Sequence, residues 1–334
     1  MNNTNLLSTQ IKLSPEDFSP ITLNEREQLE TLAEPVTFWQ DAWRRLKKNK
    51  IAMIAMVVLI IIALFAIIGP ILSPYSYKEQ IRGSENLAPC LQHPFGTDGH
   101  GRDLMVRTMV GCRISLLIGV LASIMVLVIG AIYGAVAGLC GGVVDNVMMR
   151  IVELIYSVPE ILIIIIIKLV IDTPLSEFVN SHSSLKLLNS LGSGVVAIFI
   201  VYGLLYWVGM ARIIRGQVLQ LKEMEYVNSA VALGSNKARL IRKHLLPNCI
   251  GQLIVTTALQ IPSAIFTESF LSFLGLGVSV PMASLGSLAS DALNGINSYP
   301  YRLFFPALII SLIILSFNLF ADGLRDALDP KMKK

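Results

Sequence analysis

Residues Glu223–Asn248, EMEYVNSAVALGSNKARLIRKHLLPN, form a polar and basic segment between two strongly apolar runs. Its apolar residues recur at helical spacing before Gly234, and a second helical pattern follows that glycine. Gly234 can adopt a positive φ and end the first helix, and Ser235 or Asn236 can cap the second. Pro247 is expected to break the chain before the next apolar run. We therefore predict two short helices joined at a glycine.

The first of these helices has an apolar face of small side chains. Tyr226, Ala230 and Leu233 share this face by their spacing, and Val227 and Val231 extend it. Such a face suits a groove on another protein. The alternative is an amphipathic loop on the inner leaflet, because the bases of the second helix would hold it against anionic lipid. The pattern by itself leaves docking and lipid contact open.

The rest of the chain has the composition of a membrane protein. Of its 334 residues, 54% are hydrophobic and 15% are charged, whereas about 25% of the residues of a soluble domain are charged. A helix across a bilayer core of roughly 30 Å needs about 20 apolar residues. We therefore predict an all-α polytopic membrane protein with six transmembrane helices, at residues 51–72, 114–140, 151–171, 194–210, 250–274 and 303–320.

Most of the Lys and Arg residues lie in four segments that six crossings would put on one side of the membrane: the N-terminal tail, the link at Arg150, the segment 212–243 and the C-terminus. Cytoplasmic segments carry such an excess, so we predict that both termini are cytoplasmic. The bases flank apolar runs instead of lining one face of a soluble fold, which argues against a nucleic-acid partner.

This arrangement divides the chain into five parts. Residues 1–50 form a cytoplasmic tail that ends in an interfacial helix around Trp39 and Trp43. Residues 51–72 are the first transmembrane helix, and 73–113 lie at the outer face. Residues 114–324 form the transmembrane core with the cytoplasmic loop 212–248, and residues 325–334 are a cytoplasmic tail.

Several motifs, in this order, resemble one family. Tyr226–Ala230 with Gly234 and His244–Asn248 resembles the EAA loop, the ATPase-coupling loop of ABC-importer permeases. More narrowly, the chain resembles the second membrane subunit of the oligopeptide/dipeptide/nickel permease family from about Phe38 onward. The other stretches that carry the resemblance are His93–Asp98 with Gly101–Asp103, Arg113–Leu116, Leu271–Gly277, and Trp43–Arg45 with Asn49–Lys50.

The resemblance implies a permease subunit with the type I ABC-importer fold in a bacterial or archaeal cytoplasmic membrane. It implies four kinds of partner: a homologous second permease subunit, two ATPase subunits, an extracytoplasmic substrate-binding protein and the lipid bilayer. The sequence contains no G-x-x-x-x-G-K-[ST] phosphate loop. We therefore expect this chain to be no enzyme and to bind no metal or cofactor, with ATP and Mg²⁺ held by the ATPase subunits.

Oligopeptides or dipeptides are the cargo that the resemblance implies first. Nickel chelates, glutathione or another small solute carried by the same type of importer remain the alternative. A secondary transporter is a more distant alternative, because it predicts inverted repeats and the sequence shows no convincing repeat. An intramembrane serine protease at Ser193 is disfavoured, because no histidine lies inside a predicted span.

The resemblance also assigns roles to particular residues. The expected ATPase-coupling residues are Tyr226, Val227, Ser229, Ala230, Leu233, Gly234, His244, Pro247 and Asn248. The outer-face turns carry Thr97, Asp98, Arg102 and Asp103, which we expect to meet the binding protein. One departure stands out: Asn228 occupies the position where the family has glutamate, so docking is expected to rely on shape and apolar contact.

Polar residues in or near the spans are candidates for the translocation pathway, because ionisable groups in a membrane mark function by default. They are Glu153, Glu160, Glu268 and Asn318. Glu153 and Glu160 are seven residues apart, which puts them on one face of a continuous helix. Glu268 has a structural role at a helix end as its alternative. Two further pairings stay open: an ion pair of Asp145 with Arg150, and a disulfide between Cys90 and Cys112.

Overall fold

The computed structural model describes residues 37–157, 159–181, 193–278 and 282–328, and at residues 160, 168, 171, 172, 175, 176, 178–180, 193, 194 and 197 it describes the backbone alone. These residues are mostly helical and contain no strand; Thr97 and Asp103 form an isolated bridge. The all-helical prediction is therefore confirmed for the part of the chain that is described. Most of residues 1–50, residues 182–192 and the end of the C-terminal tail lie outside it.

The helices are numbered here in chain order. They are α1 (Phe38–Lys48), α2 (Lys50–Leu72), α3 (Leu104–Cys140), α4 (Gly142–Ser157), α5 (Glu160–Ser181), α6 (Ser193–Val201), α7 (Trp207–Leu221), α8 (Glu225–Ala232), α9 (Lys237–Leu240), α10 (Ile250–Phe273), α11 (Leu285–Leu293) and α12 (Tyr301–Leu328). A π-helical turn, Tyr202–Tyr206, joins α6 to α7. A π-helical turn and a 3₁₀ turn, Ile241–Leu245 and Leu246–Cys249, join α9 to α10.

Within the described residues, five helices are long and apolar enough to cross a membrane. They are Lys50–Leu72, Leu104–Cys140, Ile198–Leu221, Lys237–Phe273 and Tyr301–Leu328. The crossing predicted at residues 151–171 is divided, because α4 ends at Ser157 and α5 begins at Glu160. Pro159 lies between them and has no N–H to continue the helical ladder. Five of the six predicted crossings therefore match long apolar helices.

Several helices extend beyond their predicted bounds. Helix α3 begins at Leu104, ahead of the predicted 114, because Asp103 caps it by accepting a hydrogen bond from the Val106 N–H at 2.8 Å. Pro247 does not break the chain as predicted. It occupies the start of the 3₁₀ turn, where a missing N–H costs no intrahelical bond, and the helical run continues from Lys237 to Phe273.

The long helix α3 is the centre of the fold. It packs along α7 and α10, while α12 packs against α2 and α10. Close approach of α3 to α7 depends on small residues: a Cβ at Gly134 would lie 2.3 Å from the carbonyl oxygen of Ala211. Small residues at helix interfaces allow such approach in membrane proteins. Helix α1 carries Trp39 and Trp43 exposed and Leu46 buried. Its position at the membrane interface stays a prediction.

Candidate functional site

The segment Glu223–Asn248 folds into α8 and α9 with a glycine between them, as predicted. Gly234 has φ +82°, and the N–H of Ser235 donates to the carbonyl of Ala230 at 3.0 Å. This bond and that from the Gly234 N–H to Val231 form a Schellman motif. The Asn236 side chain then accepts from the N–H of Arg239 at 2.9 Å and caps α9.

One side of α8 packs against the protein. Val227 is 2% exposed, Ala230 is also buried, and both join a cluster that includes Leu240, Leu245 and Cys249. The sequence placed Val227 and Ala230 on the docking face, whereas the structure buries both side chains inside the protein. Their part in ATPase coupling stays a prediction.

The opposite side of α8 is exposed. Tyr226 is 40% exposed and Leu233 is 88% exposed, and Ser229 lies between them in the sequence with an exposed side chain. Spacings of three and four residues put these three on one helical face. Leu233 is therefore an apolar side chain held in solvent at the tip of a braced helix, beside the exposed Gly234.

The end of the loop is tied to its own backbone. The side-chain amide of Asn248 donates to the carbonyl oxygen of His244 at 2.6 Å, next to the exposed Pro247. Asn228, at the position of the family's glutamate, is exposed. Four exposed bases border this surface: Lys237, Arg239, Arg242 and Lys243. The surface thus combines an apolar tip with a positively charged surround.

An ion pair fixes the helices behind the loop. Nε and Nη2 of Arg215 on α7 donate to the two carboxylate oxygens of Asp145 on α4, at 2.5 and 2.6 Å. This bidentate geometry is the strong form of such a pair. Arg150 instead pairs with Glu153 at 3.0 Å. The predicted pairing of Asp145 with Arg150 is therefore wrong.

The outer-face candidates form a buried network. Thr97, Asp98, Arg102 and Asp103 are all buried. The Asp103 carboxylate lies 2.7 Å from Nδ1 of His93, and Thr97 accepts from the N–H of Leu87 at 2.8 Å. The side chains of these four residues are buried and hold the turns together. Contact of this segment with a binding protein stays a prediction.

Asp98 is the centre of that network. Its carboxylate accepts from Nε of Arg102 at 2.7 Å and lies 3.3 Å from Nη1 of Arg107. Burial by itself would raise the pKa of Asp98, but the hydrogen bonds from Arg102 and His100 and the charge of Arg107 outweigh it and lower that pKa. Asp98 is therefore held as a carboxylate. Nearby, Cys90 is exposed and Cys112 is buried on α3, and both are free thiols.

Glu268 is fully buried among serines. Its carboxylate accepts hydrogen bonds from the hydroxyls of Ser115 and Ser272, each at 2.7 Å, and from Ser269 at 3.4 Å. Ser115 lies on α3, so the cluster joins α3 to α10. The structure thus gives Glu268 the structural environment that was its alternative. Its pathway role stays a prediction.

The other pathway candidates do not converge. Asn318 donates to the carbonyl of Ile314 on its own helix at 2.9 Å, and Glu153 is exposed and paired with Arg150. The argument that Glu153 and Glu160 share a face fails, because they lie on separate helices. The side chain of Glu160 lies outside the described residues.

The structure contains a cavity that these predictions missed. It has a volume of about 560 Å³ and lies between the α4–α5 break, the π-helical turn and α10, with Tyr156, Ser157, Tyr206, Gly209, Gln260 and Ser263 among its lining residues. A second cavity of about 590 Å³ lies at the end of α10 near Pro247 and Arg325. The prolines and Gln260 within the spans were the available signals, but only packing shows that they meet.

Comparison with known proteins covers most of the chain. The family model of the binding-protein-dependent transport system inner membrane component matches residues 128–334. A second model, the N-terminal TM domain of oligopeptide transport permease C, matches residues 37–89.

Curated relatives match along nearly their whole length. The chain is 44% identical to the dipeptide transport system permease protein DppC of Bacillus subtilis, over 96% of this chain and 94% of the relative. It is 42% identical to the oligopeptide transport system permease protein OppC of Bacillus subtilis, over 95% and 97%. It is 41% identical to the OppC protein of Salmonella typhimurium, over 92% and 95%.

Proposed function

The chain belongs to the family of binding-protein-dependent transport system inner membrane components, and we propose that it is a peptide-translocating membrane subunit of an ATP-driven ABC importer. Its relatives are named dipeptide and oligopeptide permeases. The chain crosses the membrane several times. Peptide import is therefore the activity that the similarity supports best.

The exposed tip of α8 is the observation that carries the coupling role. Leu233 is 88% exposed although α8 is fixed by a Schellman motif on one side and a buried face on the other. A rigid element with an exposed apolar tip suits a groove on a partner. We assign that groove to an ATPase subunit, which binds ATP and Mg²⁺, while this chain supplies neither the nucleotide site nor a catalytic group.

The remaining partners and the topology follow from this assignment. A homologous permease subunit completes the pathway, two ATPase subunits dock on the cytoplasmic side, and an extracytoplasmic binding protein delivers the peptide. Helices α4 and α5 together make the sixth crossing, so both termini lie in the cytoplasm. The location is the cytoplasmic membrane of a bacterium or archaeon. Closure of the ATPase dimer would move α8 as a rigid body together with the helices that pack against it.

The test is the variant Leu233→Asp in the complete importer. A charge at this position would be buried unpaired in the ATPase groove, which is costly. We expect co-purification of the ATPase subunits and peptide uptake to fall together, by about tenfold or more. Quantitative pull-down through a tag on this chain measures the first, and uptake of radiolabelled trialanine into proteoliposomes measures the second.

Leu91 provides the matched control. It is a fully exposed leucine in the outer segment, so Leu91→Asp introduces the same charge on the other side of the membrane. We expect it to leave ATPase co-purification at the wild-type level. Wild-type co-purification in Leu233→Asp would refute the coupling surface, and an intact wild-type complex that imports no peptide would refute peptide import.

A further inference from the structure

Two irregular pieces of backbone meet α10 at the 560 Å³ cavity. They are the break between α4 and α5 and the π-helical turn Tyr202–Tyr206, and α10 contains Pro262 close to the cavity. Non-helical backbone at membrane depth is tolerated where it lines a water-filled cavity or is buried in protein. Single π-helical turns inside helices occur frequently at functional sites. Their convergence on one cavity marks it as more than a packing defect.

The cavity lies near the middle of the membrane. Gln260 is ten residues from the start of α10, which corresponds to about 15 Å along a helix. Tyr206 is close to the middle of the helical run from Ser193 to Leu221. A bilayer core is roughly 30 Å thick, so both residues lie near half depth. Solutes that cross by alternating access are bound at this depth.

The irregular turn is held in place by specific contacts. The Tyr202 hydroxyl donates to the carbonyl oxygen of Ala264 on α10 at 3.0 Å, and Nε1 of Trp207 donates to the carbonyl oxygen of Leu204 at 3.1 Å. The first bond ties the π-helical turn to α10, and the second uses a carbonyl within the turn. The cavity wall is therefore preorganised, as expected of a binding surface.

The described lining combines polar and apolar residues and carries no charge. Its polar residues include Tyr156, Ser157, Gln260 and Ser263, and none of the described lining residues is charged. Among the hydrogen bonds of the described residues, none involves the half-buried Gln260 side chain. A carboxamide has two donors and an acceptor, the same groups that a peptide bond presents.

We propose that this cavity is a peptide-binding station on the translocation pathway and that Gln260 hydrogen-bonds the main chain of the passing peptide. This inference rests on the proposed function and adds the site and the recognised group. Because the contact is to main-chain amides and none of the described lining residues is charged, the station is indifferent to the charge of the peptide's side chains.

The first test compares peptides in Gln260→Leu, which keeps the side chain's approximate volume and removes its hydrogen bonds. Uptake of trialanine, Ala-Lys-Ala and Ala-Glu-Ala is measured in proteoliposomes with the complete importer, each relative to wild type. Loss of one hydrogen bond predicts a decrease of about five- to tenfold for all three. Taking ratios to wild type removes the preference of the binding protein.

An N-methylated peptide identifies the bonded group. Trialanine that is methylated on the amide nitrogen of its central residue lacks one N–H group. That N–H is the donor whose hydrogen bond the Gln260 side-chain oxygen would accept. We expect Gln260→Leu to reduce its uptake by a clearly smaller factor than for trialanine. Main-chain recognition would be overturned if Gln260→Leu reduced uptake of both peptides by the same factor. It would also be overturned if the reduction differed between Ala-Lys-Ala and Ala-Glu-Ala.

The second test fills the cavity without disturbing the fold. Gly209 lines the cavity, and a Cβ at this position would meet no atom within 4 Å. Gly209→Leu should therefore fold, because leucine is also a better helix former than glycine. We expect it to lower trialanine uptake by at least tenfold while the second permease subunit and the ATPase subunits still co-purify.

Gly216 is the matched control for that variant. It lies two turns further along α7, its Cβ would also meet no atom within 4 Å, and it is not among the cavity's described lining residues. Gly216→Leu should retain uptake. If Gly209→Leu loses the second permease subunit, the cavity holds a side chain of that subunit and the proposal fails. Normal uptake in Gly209→Leu would refute it as well, whereas an importer that moves no peptide even as wild type would refute the proposed function.

Discussion

Glu268 shows why an acidic residue in a membrane helix has to be considered together with its burial. An acid in a membrane helix suggests the pathway, yet this side chain is fully buried and accepts hydrogen bonds from three serines. Ser272 in turn accepts from the N–H of Val278 at 3.2 Å. The carboxylate therefore links α3, α10 and the loop after α10. The acceptor oxygens of Glu268 are therefore hydrogen-bonded inside the protein, where they hold these elements together.

Removing this carboxylate should destabilise the protein. Glu268→Ala leaves buried serine hydroxyls without their acceptor, and each such group costs about 1–3 kcal/mol. We expect a loss of about 3 kcal/mol or more, measured as a lower thermal midpoint of the purified complex in detergent. Glu153→Ala is the control, because Glu153 is exposed and its pair with Arg150 is worth about 0–1 kcal/mol. Equal midpoints for the two variants would contradict the structural role.

Asp98 makes the outer segment sensitive to acid. Its pKa in the folded protein lies below the usual value, because the bonds from Arg102 and His100 and the charge of Arg107 outweigh burial. A lowered pKa means that its stabilisation is complete above the usual value of about 4 and is lost as pH falls below that value. We expect wild type to lose more stability between pH 7 and pH 3 than Asp98→Asn does, measured as thermal midpoints.

Asp41 is a suitable control for this pH dependence. It pairs with Arg44 and Arg45 on α1, and hydrogen bonds from these arginines lower its pKa too. It lies in an exposed pair that solvent screens. Asp41→Asn should therefore follow the wild-type pH profile. An Asp98→Asn profile parallel to wild type would show that Asp98 contributes no acid sensitivity.

The position of helix α8 depends on its buried face, its exposed face and the glycine that ends it. Val227 and Ala230 bury one face, Leu233 and Tyr226 remain outside, and Gly234 reverses the chain toward α9. A Cβ at Gly234 would meet no atom within 4 Å, so space does not require glycine here. The requirement is the backbone angle, because φ near +82° is unfavourable for side chains with a Cβ.

Substitutions at Gly234 should show whether the positive backbone φ or the volume of the side chain limits this position. Gly234→Val places a β-branched residue at positive φ, which costs about 1–3 kcal/mol and favours a different helix end. We expect weaker co-purification of the ATPase subunits with normal membrane insertion. Gly234→Asn adds comparable bulk but tolerates positive φ, and it should retain most of the binding. If both variants bind like wild type, the Schellman turn does not position the coupling surface.

The membrane topology of the whole molecule depends on whether the divided segment, α4 with α5, crosses the membrane. Five helices cross by length and composition, which by itself would put the two termini on opposite sides. If α4 and α5 together cross once more, the termini lie on the same side and the end of α5 faces outward. The break at Pro159 then lies within the membrane, where it forms part of the cavity wall.

The position of Glu177 tests this topology. It is exposed near the end of α5, and Glu177→Cys should react with a membrane-impermeant maleimide added outside intact cells. The variant is made with Cys90→Ser, because Cys90 is the exposed native thiol. Arg239→Cys, on the exposed side of α9, should react only after the membrane is opened. The reverse pattern would contradict the six-crossing arrangement.

The class of fold, most of the long apolar helices and the two-helix loop could be predicted from the sequence. These features depend on local properties: runs of apolar residues, the conformational freedom of Gly234 and the cap at Asn236. Sequence motifs also pointed to the family, which the comparisons confirm. Such signals lie within a few turns of one helix, so they can be recognised without knowing what packs where.

Which side chains face outward and which polar residues meet became clear from helix packing. Val227 joins a cluster with residues of other helices, and Glu268 accepts a hydrogen bond from Ser115 on another helix. The cavity forms where α4, α5, the π-helical turn and α10 converge, and no local pattern encodes that meeting. The physical reason is that burial and hydrogen-bond satisfaction depend on helix–helix packing, whereas helix formation in a membrane is set residue by residue.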